Sequence, residues 1–270
     1  MTIIIISCDE YEDLWENHIS LLKHFWPDCP YDIIFVNQEK KVSWPGIHVL
    51  NAGKGEEWSH RTLAALEHCK TPFVCLLVED FFISAPIQTN LIEQTLELIQ
   101  NYEIKYYKIT NFSRAVKNHD PIFQKYPFLH VIFQDDDYGI SVQPAIWEKN
   151  YLKKLLGTQN YNAWKFEFDR VKESFNKPHI PASGCIFDER NILHIKHGLI
   201  QGQYLPKTVK YFQKIGMPLI IKRPIMSWKN YYRTRLISKG KYFLPKSLRL
   251  PIKRLLEKCG MKFVSTIRDK

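Results

Sequence analysis

No CxxC pair occurs in the sequence; the six cysteines, Cys8, Cys29, Cys69, Cys75, Cys185 and Cys259, are scattered along it. That spacing suits neither a zinc site nor a small disulfide scaffold, and the expectation is free thiols in a reducing compartment. Glycine and proline, at 11 and 15 of 270 residues, are too few for a repeat or collagenous chain. No apolar stretch reaches the roughly 18 residues of a spanning helix. The opening MTIIIISCDEYEDLW lacks a basic leader and its apolar run is short, so it reads as a strand rather than a signal peptide.

What is present points to a folded protein. Hydrophobic residues make up 45% and aromatics 14%, enough for one substantial core with an appendage. The net charge of +10 is unevenly spread. Residues 205–270 carry 18 Lys or Arg against 2 Asp or Glu, net +16, whereas residues 1–204 carry 20 against 26, net −6. A mildly acidic body with a strongly basic tail suggests an anionic partner, either lipid headgroups or nucleic acid. Nucleic acid is the weaker option, because no RRM, KH or zinc signature accompanies the charge.

Along the body, TIIIIS (2–7), YDIIFVN (31–37), IHVLNAG (47–53), FVCLLVE (73–79) and KYYKIT (105–110) read as strands. Helices are expected over 11–24, over Trp58–Cys69 with Ser59 as N-cap, and from about Ile87 to Asn101. Residues 111–137 read as irregular. A short strand, a turn and a helix from Pro144 follow, then a helix from about Ala163 and strand-like pieces up to Pro206. Short basic helices broken at Pro218, Pro224, Pro245 and Pro251 complete the chain. This rhythm predicts an α/β layer with a largely parallel sheet over residues 1–204 and a basic helical segment over 205–270.

The most telling stretch is TPFVCLLVEDFFIS, from Thr71 to Ser84, in which an apolar strand ends on Glu79 and Asp80. Ligands of open α/β sheets bind beyond the carboxyl ends of the strands. Two adjacent carboxylates there repel unless a cation or an arginine lies close, and Mg²⁺ or Mn²⁺ bridging phosphate oxygens explains the placement. A surface turn with a solvated acidic pair is the plain alternative. The two phenylalanines that follow favour the first reading, with one ring turned inward to anchor the loop.

IIIISCDEYEDLWENHISLLKHFWPDCPYDIIFVN and KTPFVCLLVEDFFIS resemble the first nucleotide-binding unit and the strand-plus-acidic motif of bacterial GT-A-type sugar transferases that build capsule or lipopolysaccharide glycans. The resemblance covers roughly residues 2–204. It implies a GT-A-like fold and a nucleotide-sugar donor, with Mn²⁺ or Mg²⁺ on the donor diphosphate. The usual motif is Asp-x-Asp; here Val78-Glu79-Asp80 takes its place, so the first Asp is missing. Asp80 is then the metal-binding carboxylate, and Glu79 touches the donor ribose or the metal through water. Ser7, Asp9 and Tyr11 are expected at the base and Arg61 at a donor phosphate. The plain alternatives are a helix-entry cap for Asp9 and a surface arginine for Arg61. In the late segment HIKHGLIQGQ, the resemblance makes His197 a metal or diphosphate ligand and Lys196 a counter-charge for the leaving diphosphate.

An inverting transferase needs a carboxylate to take the acceptor proton. Glu167 in NAWKFEFD, beside Trp164 and Phe168, is the choice; Asp136 and Asp137, in the triplet 135–137, are the others, and each set also reads as solvated charge. The expected function is transfer of a sugar to a glycan or lipid-linked acceptor, with inversion. The alternatives are a nucleotidyltransferase, disfavoured by the lack of a glycine-rich basic loop after the first strand, and a non-catalytic module acting through its tail. Tyr, Trp, Lys and Arg in the tail, with the apolar–basic stretch LPIKRLLEKCGMKF, predict a cytoplasmic enzyme peripheral to the inner face of an anionic membrane.

Overall fold

The computed structural model describes residues 1–110, 112, 121–243, 251 and 255, and of residues 237–243 the backbone alone. The chain divides into two compact units, Met1–Lys196 and His197–Lys270.

The first unit contains ten strands and five α-helices, in the order β1 (Thr2–Ile6), α1 (Glu12–Phe25), β2 (Asp32–Asn37), β3 (His48–Asn51), α2 (Trp58–His68), β4 (Phe73–Val78), β5 (Phe81–Ile83), α3 (Thr89–Asn101), β6 (Tyr106–Lys108), β7 (Ile122–Phe123), β8 (Tyr126–Phe133), β9 (Ala145–Glu148), α4 (Lys149–Leu156), α5 (Ala163–Ser174) and β10 (Pro181–Asp188). Nine of these strands form one sheet, ordered β3-β2-β1-β4-β9-β6-β10-β8-β7. Strands β9 and β8 run against their neighbours and the other seven share one direction, so the sheet is mixed and mostly parallel, as a GT-A-like nucleotide-binding fold requires.

The sheet buries both faces, which is why its first strands read as unbroken apolar runs. On one face Ile4, Ile6, Val74 and Leu76 pack with Trp58 and Leu66 of α2, Leu152 of α4 and Phe166 of α5. On the other, Ile3, Cys75 and Leu77 meet Leu22 of α1, Trp26 and Ile92 of α3. Helix α1 follows the expected periodicity, with Leu14, Trp15, His18, Leu21, Leu22 and Phe25 buried. Phe81 and Phe82, the pair after the acidic turn, are both buried in β5, which lies against α1.

Four expectations are corrected. Ser59 does not cap α2: Glu57 precedes the helix, and the Ser59 hydroxyl instead donates to Gln159 O (2.8 Å) and accepts from Tyr161 N (2.8 Å). Residues from Pro144 form strand β9 before the helix; Ala145, Ile146 and Trp147 are buried between β4 and β6, and α4 starts only where the Glu148 carboxylate caps Asn150 N and Tyr151 N. The stretch expected to be irregular contains the eight-residue strand β8, paired with β10. Beyond β11 (Ile195–His197), the second unit holds the hairpin β12 (Leu199–Ile200) and β13 (Gln203–Tyr204), helix α6 (Pro206–Lys214) and α7 (Trp228–Phe243). Pro218 and Pro224 fall in a non-helical segment between α6 and α7, and α7 runs unbroken for 16 residues. Pro245 and the apolar–basic stretch from Leu250 lie outside the described residues apart from positions 251 and 255.

Phe82 is wholly buried, so Phe82→Ala should lower unfolding free energy by about 3–5 kcal/mol. Urea denaturation measures this, and a loss below about 1 kcal/mol would show that the ring does not anchor the acidic turn.

Candidate functional site

Register places the site. Ile6 pairs with Val78 across the parallel β1–β4 ladder, so the next residues, Ser7 and Glu79, leave the sheet side by side at its carboxyl edge. Ser7 is buried, and its hydroxyl accepts a 2.6 Å hydrogen bond from Trp15 Nε1. Glu79 is buried as well, and Asp80 beside it is half-buried. Burial, then the neighbouring Asp80 charge, pushes the Glu79 carboxyl up to about 8, while Arg61 and a hydrogen bond from Ser7 work against the shift. Glu79 is therefore a neutral acid at mildly acidic pH.

Arg61 projects from α2 into the same corner. It is buried, donates to Glu56 O, and keeps an Nε that has no hydrogen-bond partner. Burial lowers its pKa and the facing Cys8 and Glu79 oppose that shift. The Cys8 thiol is pushed up to about 11, first by burial and then by Glu79, so it is not a nucleophile at neutral pH. From α1, His18 Nδ1 lies 3.1 Å from Glu79 O and is its donor, since burial holds the ring near 4 and hence neutral. Its Nε2 is buried without a partner. Two orphaned nitrogens thus surround one backbone turn, an arrangement costly unless something polar arrives.

Asp9 opens the short 3₁₀ turn Asp9–Tyr11 and directs its carboxylate to a neighbouring loop, accepting from Gln38 N (3.1 Å), Glu39 N (3.1 Å) and Lys40 N (3.0 Å). It fixes the loop after β2 against the end of β1. Tyr11 closes the turn, half-buried. Ser7, Asp9, Tyr11, Arg61, Glu79 and Asp80 accordingly gather at one edge of the sheet.

A second cluster forms further along that edge. Lys108, the last residue of β6, is fully buried and donates from Nζ to Tyr138 O (2.5 Å) and Gly139 O (3.3 Å). Burial pulls it down to about 7, against the opposing charges of Glu167 and Asp136. Glu167 is buried, with Oε1 accepting from Val142 N (3.3 Å), while Trp164 and Phe168 on the same helix stay about half exposed (50% and 54%). Asp136 accepts from Phe133 N (2.9 Å), Asp137 meets Ser174 Oγ at 3.5 Å, and Asp135 pairs with His179 (2.8 Å). Lys108 was missed in the sequence; its only signal is a lysine closing an aromatic strand. A third strand-end carboxylate, Asp188, was missed too. It is buried at the end of β10 and already answered by Arg190 (2.7 Å) and the Tyr107 hydroxyl.

Lys196 is half-buried on β11; His197 opens the second unit, where its carbonyl accepts from Thr208 Oγ1 (2.7 Å). Among the described residues, no group of three or more His, Cys, Asp or Glu could hold a metal ion. With Glu79 neutral, Asp80 could give a divalent ion one carboxylate, and the remaining ligands would have to come from phosphate and water rather than an all-protein cage.

No protein-family model and no curated protein sequence matches the chain. Similar solved structures include a mannosyltransferase from Pyrobaculum calidifontis in complex with GDP-Man and Mn²⁺, at 13% identity and TM-score 0.45, covering 98% of this chain and 76% of that one. A cytidylyltransferase from Leptospira borgpetersenii is similar at 12% identity and TM-score 0.39, covering 65% and 71%. TarS 1–349 from S. aureus is similar at 14% and 0.41; the match covers 69% of this chain and 59% of TarS 1–349. Likenesses at this distance assign no activity to the chain.

The Glu79 carboxyl predicts a specific pH dependence. The folded state keeps its proton to a higher pH than the unfolded chain does, so the unfolded state releases that proton first and rising pH favours unfolding. Wild type should therefore lose stability relative to Glu79→Gln between about pH 5 and 8, in melting curves taken across that range. Parallel profiles for the two proteins would mean that Glu79 is ionised in the fold.

Proposed function

We propose that this chain is a glycosyltransferase that takes a sugar from a nucleotide-sugar donor. The observation that carries the reading is the corner at the ends of β1 and β4, where buried Glu79, buried Arg61 with its free Nε and half-buried Asp80 surround one turn. The nucleoside lies over Ser7–Tyr11, on the rim that Asp9 fixes by holding residues 38–40. Arg61 is the guanidinium for a donor phosphate, a group its planar donors fit. A divalent cation, held by Asp80 and supplied with phosphate oxygens by the donor, would neutralise the leaving diphosphate. Glu79 stays uncharged in the absence of ligand, which limits repulsion toward an incoming diphosphate.

On the acceptor side Glu167 is the general base, with Lys108 and Asp136 around it. Lys108 holds the backbone of Tyr138 and Gly139 and so sets the wall beside that carboxylate. A base there gives inversion, and the acceptor is a glycan or lipid-linked glycan hydroxyl.

A thermal-shift panel of nucleotide sugars and nucleoside triphosphates, with and without Mn²⁺, tests the reading. A ligand at about 100 times its Kd stabilises by about 2.7 kcal/mol, on the order of 5–10 °C for a chain of this size. At least one nucleotide sugar should give such a shift with Mn²⁺, and Asp80→Asn should lose its metal-dependent part. An unchanged response in Asp80→Asn would remove Asp80 from the metal. A shift confined to triphosphates, with pyrophosphate release, would make the chain a nucleotidyltransferase.

A further inference from the structure

The second unit carries a surface that the donor corner and acceptor cluster do not use. Of the fourteen large apolar side chains left exposed among the described residues, seven fall within residues 215–236. Exposed apolar residues are ordinary when scattered, but such crowding marks an interaction surface. The segment is not a loose end. Tyr204 N donates to Pro224 O (3.0 Å), Met226 N donates to Tyr204 O (2.9 Å), and the Tyr204 hydroxyl donates to Ile220 O (3.2 Å). Below it Leu205, Met226 and Tyr231 form a small buried cluster. Tyr231 therefore fixes which side of α7 faces inward, and Trp228, Tyr232 and Leu236, spaced four apart, form a stripe 43%, 62% and 72% exposed. Trp228 and Tyr232 stack on each other at 5.9 Å.

Charge selects the partner. Residues 205–243 contain ten Lys or Arg and no Asp or Glu. Lys229 and Arg233 each follow a residue of the exposed stripe and are themselves exposed. An acidic protein or nucleic acid would answer the cations but leave the isoleucines and the aromatic stripe in water. An anionic bilayer answers both. Its headgroups take Lys and Arg, and Trp and Tyr settle at the boundary between headgroup and acyl chain. Among the described residues no helix is long and apolar enough to cross a membrane. We infer that the surface formed by residues 215–236, with Ile221, Ile225, Trp228, Tyr232 and Leu236 inserted and the flanking cations on the headgroups, seats this protein on the interface of an anionic membrane without spanning it. The inference is independent of the donor chemistry proposed above.

Vesicle flotation of the full chain tests it, with phosphatidylcholine alone or with about one-third phosphatidylglycerol. The protein should float with the anionic vesicles and stay behind with the neutral ones. Trp228→Ser/Tyr232→Ser/Leu236→Ser should lower the partition coefficient about tenfold or more while leaving the circular dichroism melt unchanged. If the triple variant melts differently, the pair Lys229→Glu/Arg233→Glu, at exposed sites, is expected to reduce flotation by a similar factor with the fold intact. No flotation of wild type on anionic vesicles at low salt would overturn the proposal. So would flotation that neither variant changes. Wild-type flotation abolished by excess heparin, yet indifferent to the serine substitutions, would also overturn it, in favour of a general polyanion site.

Discussion

The corner at the ends of β1 and β4 depends on a carboxylic acid buried where a strand leaves its sheet. Parallel pairing of β1 with β4 sets Glu79 beside Ser7, and the buried Phe81 and Phe82 hold the turn against α1 so that the acid cannot swing into water. An ionised carboxylate in that position would be costly; the fold meets the cost by leaving the proton on, with Arg61, Ser7 and the backbone carbonyl bond to His18 arranged about it. Much of the corner's electrostatics follows. Arg61 opposes the Glu79 shift without cancelling it.

The three charged groups at the carboxyl edge differ in a way that matters for chemistry. Asp188, with Arg190 and Tyr107, is a completed ion pair whose guanidinium lies 3.8 Å from the centre of the Phe128 ring. The Glu79 corner keeps two buried nitrogens without partners, whereas Lys108 has two carbonyl acceptors but little solvation. Arg61 Nε and His18 Nε2 lack partners, and Lys108 is buried between two carboxylates with its proton weakly held.

Much of the first half was legible because its strands are β-branched runs buried on both faces, a signal that survives without any tertiary information. Strand β8 was hidden by Pro127 near its start and by aromatics that a loop also tolerates. Strand β9 was hidden because PAIWEKNYLKKLL merges its three buried residues with the helix that follows, and only the neighbours β4 and β6 decide the boundary. The acidic pair stood out as strand-terminal charge. That Glu79 would be the neutral member follows from its burial first and from the adjacent Asp80 charge second, against Arg61, and burial is set by tertiary packing that the sequence does not display. Lys108 went unremarked within KYYKIT; two flanking strands bury it.

The protonation state of Glu79 is the claim on which the electrostatics of the β1–β4 corner turn. Infrared difference spectroscopy of wild type against Glu79→Gln, at pH 6 and without ligand, reads it directly. The account predicts a protonated carboxyl stretch in the wild type that the variant lacks. A difference spectrum showing only carboxylate bands at that pH would contradict it.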